Sequence, residues 1–266
     1  MYPTLFEVFG RQISTYGLLI IIGAVAAWFT VKLLDKNKDE NVSLVFLICI
    51  CGGLIGAVLL RPITRIPEII IHWEQFRQMP VRIALSLIFS EIVFYGGLTG
   101  GVAAMLIFCK SYKIPILPIA DLLAPALAVA HGFGRIGCFF GGCCYGVQVH
   151  LSHPFAVIFP PADAGMPTGI SVSMPVLATQ LIEAASLFVI AVTLIIIYKK
   201  TAGRGLTVCS YGILYSILRF TLEFYRGDSA RGIYGMLSIS QYISMVLFVV
   251  SVVMMVLVLR KRSIGR

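Results

Sequence analysis

The chain has 266 residues, of which 59% are hydrophobic and only 12% charged, and it carries a formal net charge of +9. A soluble domain averages about 45–50% apolar and about 25% charged residues, so these proportions exclude an ordinary soluble globular protein. The basic balance does not point to nucleic acid, because most Lys and Arg residues sit just beyond apolar runs, where membrane topology accounts for them.

Several runs approach the roughly 20 apolar residues needed to cross a bilayer as a helix. They do not show the alternating segments of about 10 residues that a transmembrane barrel requires. Seven helical spans fit, at about 16–34, 43–60, 91–109, 117–136, 176–198, 206–225 and 235–259. The expected fold class is therefore all-α, a polytopic membrane protein of about seven transmembrane helices forming a single integral-membrane domain over 1–266. The first run is longer than a signal-peptide core and only Arg11 precedes it, so it is expected to stay in the membrane as the first helix.

Between the second and third spans, a stretch at about 61–90 is punctuated by Pro62, Pro67 and Pro80 and places Trp73 in a mixed polar and apolar run. It is expected to form an external arm or interfacial helix, with Trp73 at headgroup depth. A second external segment is expected at about 147–175, proline-rich and free of Lys and Arg, with the apolar stretch Phe155–Phe159 leaning on the membrane. Every loop lysine (Lys36, Lys38, Lys110, Lys113, Lys199, Lys200 and Lys261) follows an odd-numbered span. Positively charged loops stay in the cytoplasm, which places the N-terminus outside and the C-terminus inside.

Three motifs then fall at the outer face, although none was used to orient the chain. They are Phe94–Gly101 at the start of span three, Arg135–Gly146 at the end of span four and Leu218–Asp228 at the end of span six. Arg135 stands among glycines and aromatics in the run from His131 to Gly146. A charge at membrane depth costs about 2.5–3.5 kcal/mol on insertion scales and marks a functional site by default. Arg219, Glu223 and Arg226 share one helical face, and Glu223 there can partly neutralise both arginines. A guanidinium fork suits a phosphate, so Arg135 and Arg219 from separate helices are candidates to clamp an anionic lipid headgroup.

Each candidate has a plainer alternative. Arg219 and Glu223 could form an ion pair that only joins helices, and the paired glycines, Gly96 and Gly97 among them, could serve close helix packing. Tyr16 at the start of span one is either an interfacial anchor or a site hydroxyl, and its position favours the anchor. His131, one turn before Arg135, is a buried hydrogen-bonded histidine or a site member. Gln180 and Glu183 are expected to face inward, with no role assigned. Cys138, Cys143 and Cys144 match no familiar zinc spacing, so inert packing is favoured over a disulfide or a metal, and no metal or cofactor is expected.

Taken together, Gly134-Arg135-Ile136-Gly137-Cys138-Phe139 with Gly146, Tyr95-Gly96-Gly97, Arg219-Phe220 with Glu223-Phe224 and Arg226, and the opening Ile13–Leu18 resemble the prolipoprotein diacylglyceryl transferase family over nearly the whole chain. The resemblance implies a bacterial cell-membrane enzyme, multi-pass, with its site toward the outer face. Such an enzyme moves a diacylglyceryl group from phosphatidylglycerol to the lipobox cysteine thiol of a prolipoprotein signal peptide, the first step of lipoprotein maturation. Its partners are those two substrates and membrane lipids, and not nucleic acid. By position, Arg135 corresponds to the arginine that contacts phosphatidylglycerol, Arg219 to an essential arginine, and Tyr16 and Gly146 to residues needed for activity.

On that basis Arg135, Arg219, Tyr95 and Tyr16 are the expected catalytic residues. Arg135, Gly96, Gly97, Cys138, Gly146, Glu223 and Arg226 are the expected substrate-binding residues. The sequence departs from the family's best-known form at Tyr95, where histidine is usual, at Cys138 for asparagine and at Cys143 for glutamate, which leaves the general base unassigned. Two other classes compete: a related membrane transferase using the same lipid donor with a different acceptor, and a non-enzymatic lipid-binding or transport protein.

Overall fold

The computed structural model describes residues 4–8, 11–36, 39–84, 94–159, 174–201, 203–227 and 233–264. In chain order these form β1 (Thr4–Val8), β2 (Arg11–Ser14), α1 (Thr15–Leu34), α2 (Glu40–Ile71), α3 (Trp73–Gln78), α4 (Phe94–Ser111), α5 (Ile116–Phe140), β3 (Ala156–Val157), β4 (Val176–Leu177), α6 (Thr179–Thr201), α7 (Leu206–Leu222), a 3-10 turn (Glu223–Tyr225), β5 (Ile233–Tyr234), β6 (Leu237–Ser238) and α8 (Ile239–Ile264). The protein is mostly helical, as the apolar runs require, because a backbone in hydrocarbon must satisfy its own polar groups. Among the described residues five helices are long and apolar enough to cross a membrane: α1, Glu40–Leu60 within α2, α5, α6 and Ile239–Lys261 within α8. Gly96–Ser111 of α4 is a shorter apolar helix, and α7 spans 17 residues.

The outward faces carry the apolar side chains. Leu33 is 82% exposed, and Ile21, Phe29, Val189 and Val246 are also exposed. The charged residues Glu183, Arg219, Glu223 and Arg226 are buried instead. A soluble protein has the opposite distribution; intramembrane ionisable groups face the bundle interior.

The chain forms two compact units, Asn37–Ile116 and the combination of Met1–Lys36 with Leu117–Arg266. In the smaller unit α2 continues without a break through Pro62 and Pro67 to Ile71, and α3 follows at once with Trp73 exposed. There α2 and α4 pack backbone to backbone. A Cβ placed on Gly100 would lie 2.9 Å from the Cα of Gly56, and Gly52 and Gly96 are equally tight against the facing helix. Small residues at four-residue spacing permit this approach. Gly96 therefore has a packing role, and Gly97 faces Ala57 at ordinary contact distance.

In the larger unit an antiparallel β1–β2 hairpin precedes α1, and Ser14 Oγ caps that helix by accepting from Gly17 N at 3.1 Å. Ala128 of α5 and Ile190, Ala191 and Leu194 of α6 form a shared core, against which Tyr211, Leu214 and Leu218 of α7 pack. Buried Asp121 of α5 crosses to the start of α7 and accepts from Gly205 N at 2.7 Å and Val208 N at 2.9 Å. A carboxylate suits this place because a helix N-terminus presents unsatisfied N–H groups and a positive dipole end. Beyond α5, Ala156–Val157 pairs with Val176–Leu177, and Phe159 turns inward onto Phe139 and Tyr145 while Phe155 and Ile158 stay exposed. The stretch expected to lean on the membrane thus divides, with Phe159 in a core. Residues 160–173 of that external segment, 85–90 of the arm, 91–93 at the start of the third expected span, and Asp228 and Arg231 lie outside the described residues.

Candidate functional site: a buried arginine and thiol cluster

The cluster forms at one end of the larger unit, where the last turns of α5 and α7 meet the first turn of α6. Gly137 leaves space for the ring of Tyr16: a Cβ there would lie 2.9 Å from Tyr16 Cδ2, so α1 and α5 touch at this pair. Arg135, one turn before Cys138, pairs through Nε with Glu183 Oε1 at 3.1 Å, and both side chains are largely buried. No carboxylate near Arg135 in sequence suggested this partner; Glu183 reaches it from α6. On α7, Arg219 pairs with Glu223 at 2.8 Å, the four-residue helical pair expected, and donates from Nη2 to Ser240 Oγ of α8 at 3.1 Å. The Nη1 of Arg219 is buried and has no hydrogen-bond partner among the described residues. An unmet buried donor of this kind costs about 1–3 kcal/mol.

His131, one turn before Arg135 on α5, is also buried. Its ring packs on Tyr215, with centroids 5.0 Å apart, and Tyr215 stacks on Tyr211. Buried Arg226 follows the 3-10 turn and forms an isolated bridge with Gly146. Four backbone bonds lock this place: Gly146 N to Leu177 O at 2.8 Å, Leu177 N to Val147 O at 3.0 Å, Val147 N to Tyr225 O at 2.9 Å and Gly227 N to Tyr145 O at 3.1 Å. Gly146 is required by space: a Cβ would lie 2.7 Å from Tyr225 O and 2.8 Å from both Leu177 Cβ and Thr179 Cγ2.

The cysteines are brought together by the way α5 ends. Gly142 adopts a left-handed φ of 68°, Gly142 N donates to Phe139 O at 3.2 Å and Cys143 N to Cys138 O at 3.1 Å. This is a Schellman closure, and it folds Cys143 back over Cys138. Thr179 Oγ1 donates to the carbonyl of Cys144 at 3.0 Å and Gln180 Nε2 to that of Cys143 at 2.7 Å. The sulfurs of Cys138, Cys143 and Cys144 all lie within 4.8 Å of one another, and all three thiols are free. Hydrogen bonds from Cys138 and Cys143 hold the Cys144 thiol well below its ordinary value, helped by Arg226 and Arg135, while the same network pushes Cys143 up.

Seven of the expected site residues (Tyr16, Arg135, Cys138, Gly146, Arg219, Glu223 and Arg226) thus belong to the larger unit, in or against these terminal turns. Tyr95, Gly96 and Gly97 lie on α4 in the other unit, and the side chain of Tyr95 falls outside the described residues. Sequence reasoning gave no role to Glu183, Gln180 or Thr179. An ionisable or amide side chain in an apolar span was the available signal for the first two.

The family model described as prolipoprotein diacylglyceryl transferase matches residues 3–257. A protein of Clostridium tetani (strain Massachusetts / E88) called phosphatidylglycerol–prolipoprotein diacylglyceryl transferase is 33% identical over 255 residues, covering 95% of this chain and 96% of its own length. A protein of Clostridium perfringens (strain 13 / Type A) with the same name, numbered 2, is 35% identical over 250 residues, covering 91% of this chain and 90% of its own. The protein numbered 1 of that organism is 27% identical over 267 residues, covering 98% and 96%.

Proposed function

The chain belongs to the prolipoprotein diacylglyceryl transferase family, and from that membership we propose that it transfers the diacylglyceryl group of phosphatidylglycerol to the lipobox cysteine thiol of prolipoproteins. It does so as a single multi-pass domain of the bacterial cytoplasmic membrane, with seven spans, α4 and α7 counted among them, the N-terminus outside and the site at the outer face. The lysine distribution supports that orientation.

One observation carries the assignment. Arg135, whose side chain is 11% exposed, pairs with Glu183, and buried Arg219 pairs with Glu223, with buried Arg226 following on the same chain turn. Guanidinium groups suit the negative charge of a phosphatidylglycerol phosphate, and a low-dielectric setting keeps that attraction strong. In the proposed reaction Arg135 grips the phosphate and Arg219 Nη1 donates to it. The acceptor thiol gives up its proton to water, its sulfur attacks the glyceryl carbon that bears the phosphate, a C–S bond forms, the C–O bond breaks, and glycerol 1-phosphate leaves with the electron pair. Charge then grows on the phosphate oxygens, where preorganised guanidinium groups stabilise it. Tyr16 contributes its hydroxyl at the edge of the site.

The test is mass spectrometry of a lipobox peptide incubated with purified protein and phosphatidylglycerol. A cysteine peptide gaining one diacylglyceryl group, with its serine counterpart unchanged, is the expected result. Glycerol phosphate release without peptide modification would assign a different acceptor; absence of both would leave a lipid-binding protein.

A further inference from the structure

The three cysteines are not used by the chemistry above, and the spacing that argued against a metal does not describe their geometry. We propose that Cys138, Cys143 and Cys144 form a three-thiolate zinc site whose open fourth position takes the sulfur of the acceptor cysteine. Zinc binds thiolate at about 2.3 Å, so a tetrahedral site needs sulfurs about 3.8 Å apart. The observed sulfurs, all within 4.8 Å, are at most about one ångström from that closure.

The backbone around them is built to keep them there. The Schellman closure through Gly142 carries Cys143 over Cys138. Cys144 occupies a left-handed φ of 62°, unusual for a residue other than glycine, asparagine or aspartate. Such strain persists only where the surroundings enforce it, and it clusters at functional sites. Here the enforcing groups are visible: buried Thr179 and Gln180 hold the carbonyls of Cys144 and Cys143 and so fix the main chain that carries both thiols. Supporting hydrogen bonds of this kind, one shell out from the ligands, are a mark of metal centres. Thiolates select zinc or copper(I) among biological metals, and three protein ligands with one open position is the catalytic zinc pattern.

This inference rests on the lipidation activity proposed above and supplies what that chemistry lacks. The acceptor thiol must lose its proton, and the histidine usual in the family is Tyr95 here. Coordination to zinc displaces the thiol proton to water. The zinc-bound sulfur then attacks the glyceryl carbon, forming C–S as C–O breaks, and the phosphate leaves with the bonding electrons into the guanidinium of Arg135. Arg135 precedes Cys138 by three residues on α5, so phosphate grip and zinc ligand sit on adjacent positions of one helical face.

The experiment uses the full chain in detergent, stripped with a chelator and reloaded with zinc or cobalt(II). One zinc per chain is expected, and cobalt should give thiolate charge-transfer absorption with tetrahedral d–d bands. Those bands should shift when a cysteine lipobox peptide is added and stay fixed with the serine peptide. Cys143→Ser and Cys144→Ser should each lose the metal. Because either could misfold, Gln180→Leu serves as the milder variant: it should weaken zinc about 10- to 100-fold while thermal unfolding shows a folded protein. Absence of zinc and cobalt binding, a disulfide among the three cysteines in the freshly purified protein, or copper(I) binding without zinc would each overturn the site. So would undiminished peptide lipidation by the stripped protein, which would leave the transferase activity intact; a zinc-loaded protein that lipidates no peptide would instead refute the activity.

Discussion

Arg135 and Glu183 provide the sharpest separation of structure from function. Their N–O distance is 3.1 Å, and their side chains are 11% and 4% exposed. At an effective dielectric of about 20 the attraction is about 5 kcal/mol. Removing one partner strands the other charge in a buried place, at a cost of about 3–5 kcal/mol. Arg135→Met and Glu183→Met alone should therefore each lower the unfolding midpoint in detergent, by a shift on the order of 10 °C. The double variant Arg135→Met with Glu183→Met removes both charges and leaves two apolar chains of similar length. Replacing a whole buried pair in this way is often neutral or stabilising. Its midpoint should return to within a few degrees of the parent, whereas lipid transfer should remain lost, because no guanidinium is left for the phosphate. The assay pairs thermal unfolding followed by tryptophan fluorescence with peptide lipidation per folded molecule. A double variant that transfers lipid normally would reduce Arg135 to a structural ion. One as unstable as its single parents would show that desolvated charge is not what the pair controls.

Three further outcomes follow from contacts elsewhere in the larger unit. Asp121→Ala removes both acceptors at the start of α7 and should cost about 3 kcal/mol, read as a lower unfolding midpoint with lipidation per folded molecule unchanged. Gly146→Ala drives a methyl group against Tyr225 O, Leu177 and Thr179; at about 1–3 kcal/mol for overpacking the protein should still fold, but Arg226 shifts and transfer falls, so a fully active variant would argue against a fixed Arg226. Tyr16→Phe keeps the ring on Gly137 and removes only the hydroxyl; a fall in kcat of about tenfold, or about 1.4 kcal/mol, is expected, and an unchanged kcat would make Tyr16 an anchor.

The helices were legible because apolar length is a local signal, and each of the seven expected spans overlaps an observed helix, although only five are long and apolar enough to cross by themselves. The Arg219–Glu223 pair was legible for the same reason, since four-residue spacing on a helix decides it. Arg135–Glu183 was not, because the partners come from α5 and α6 and only helix packing joins them. Asp121 illustrates a signal present but unused: an aspartate in an apolar run is costly, and its burial is explained only once the start of α7 is seen beside it. The cysteines show what spacing omits. Their spacing matches no familiar zinc pattern, and it is one glycine in a left-handed turn that reverses the backbone and brings the sulfurs together. The glycines of α4 carried both meanings at once, and the structure gives Gly96 and Gly100 to packing against α2.

The placement of the arginines also bears on how a buried site can release its own counter-ions. If Glu183 and Glu223 held the cations in position, drawing a phosphate into the cluster would dismantle it. The positions are set otherwise. Residues 145–147 are bonded on one side to Leu177 and on the other to Tyr225 and Gly227, so Arg226 is fixed by main-chain bonds that no ligand disturbs. Arg219 is held also by Ser240 of α8, and Arg135 rises from a continuous helix. The glutamates therefore act chiefly to make the empty cluster tolerable in a low-dielectric setting, where unpaired cations would be expelled. On the proposed reaction a phosphate can therefore approach the guanidinium groups with the scaffold unmoved. High salt should consequently weaken substrate capture little, since the competing charges are already inside and bulk ions screen only what they can reach.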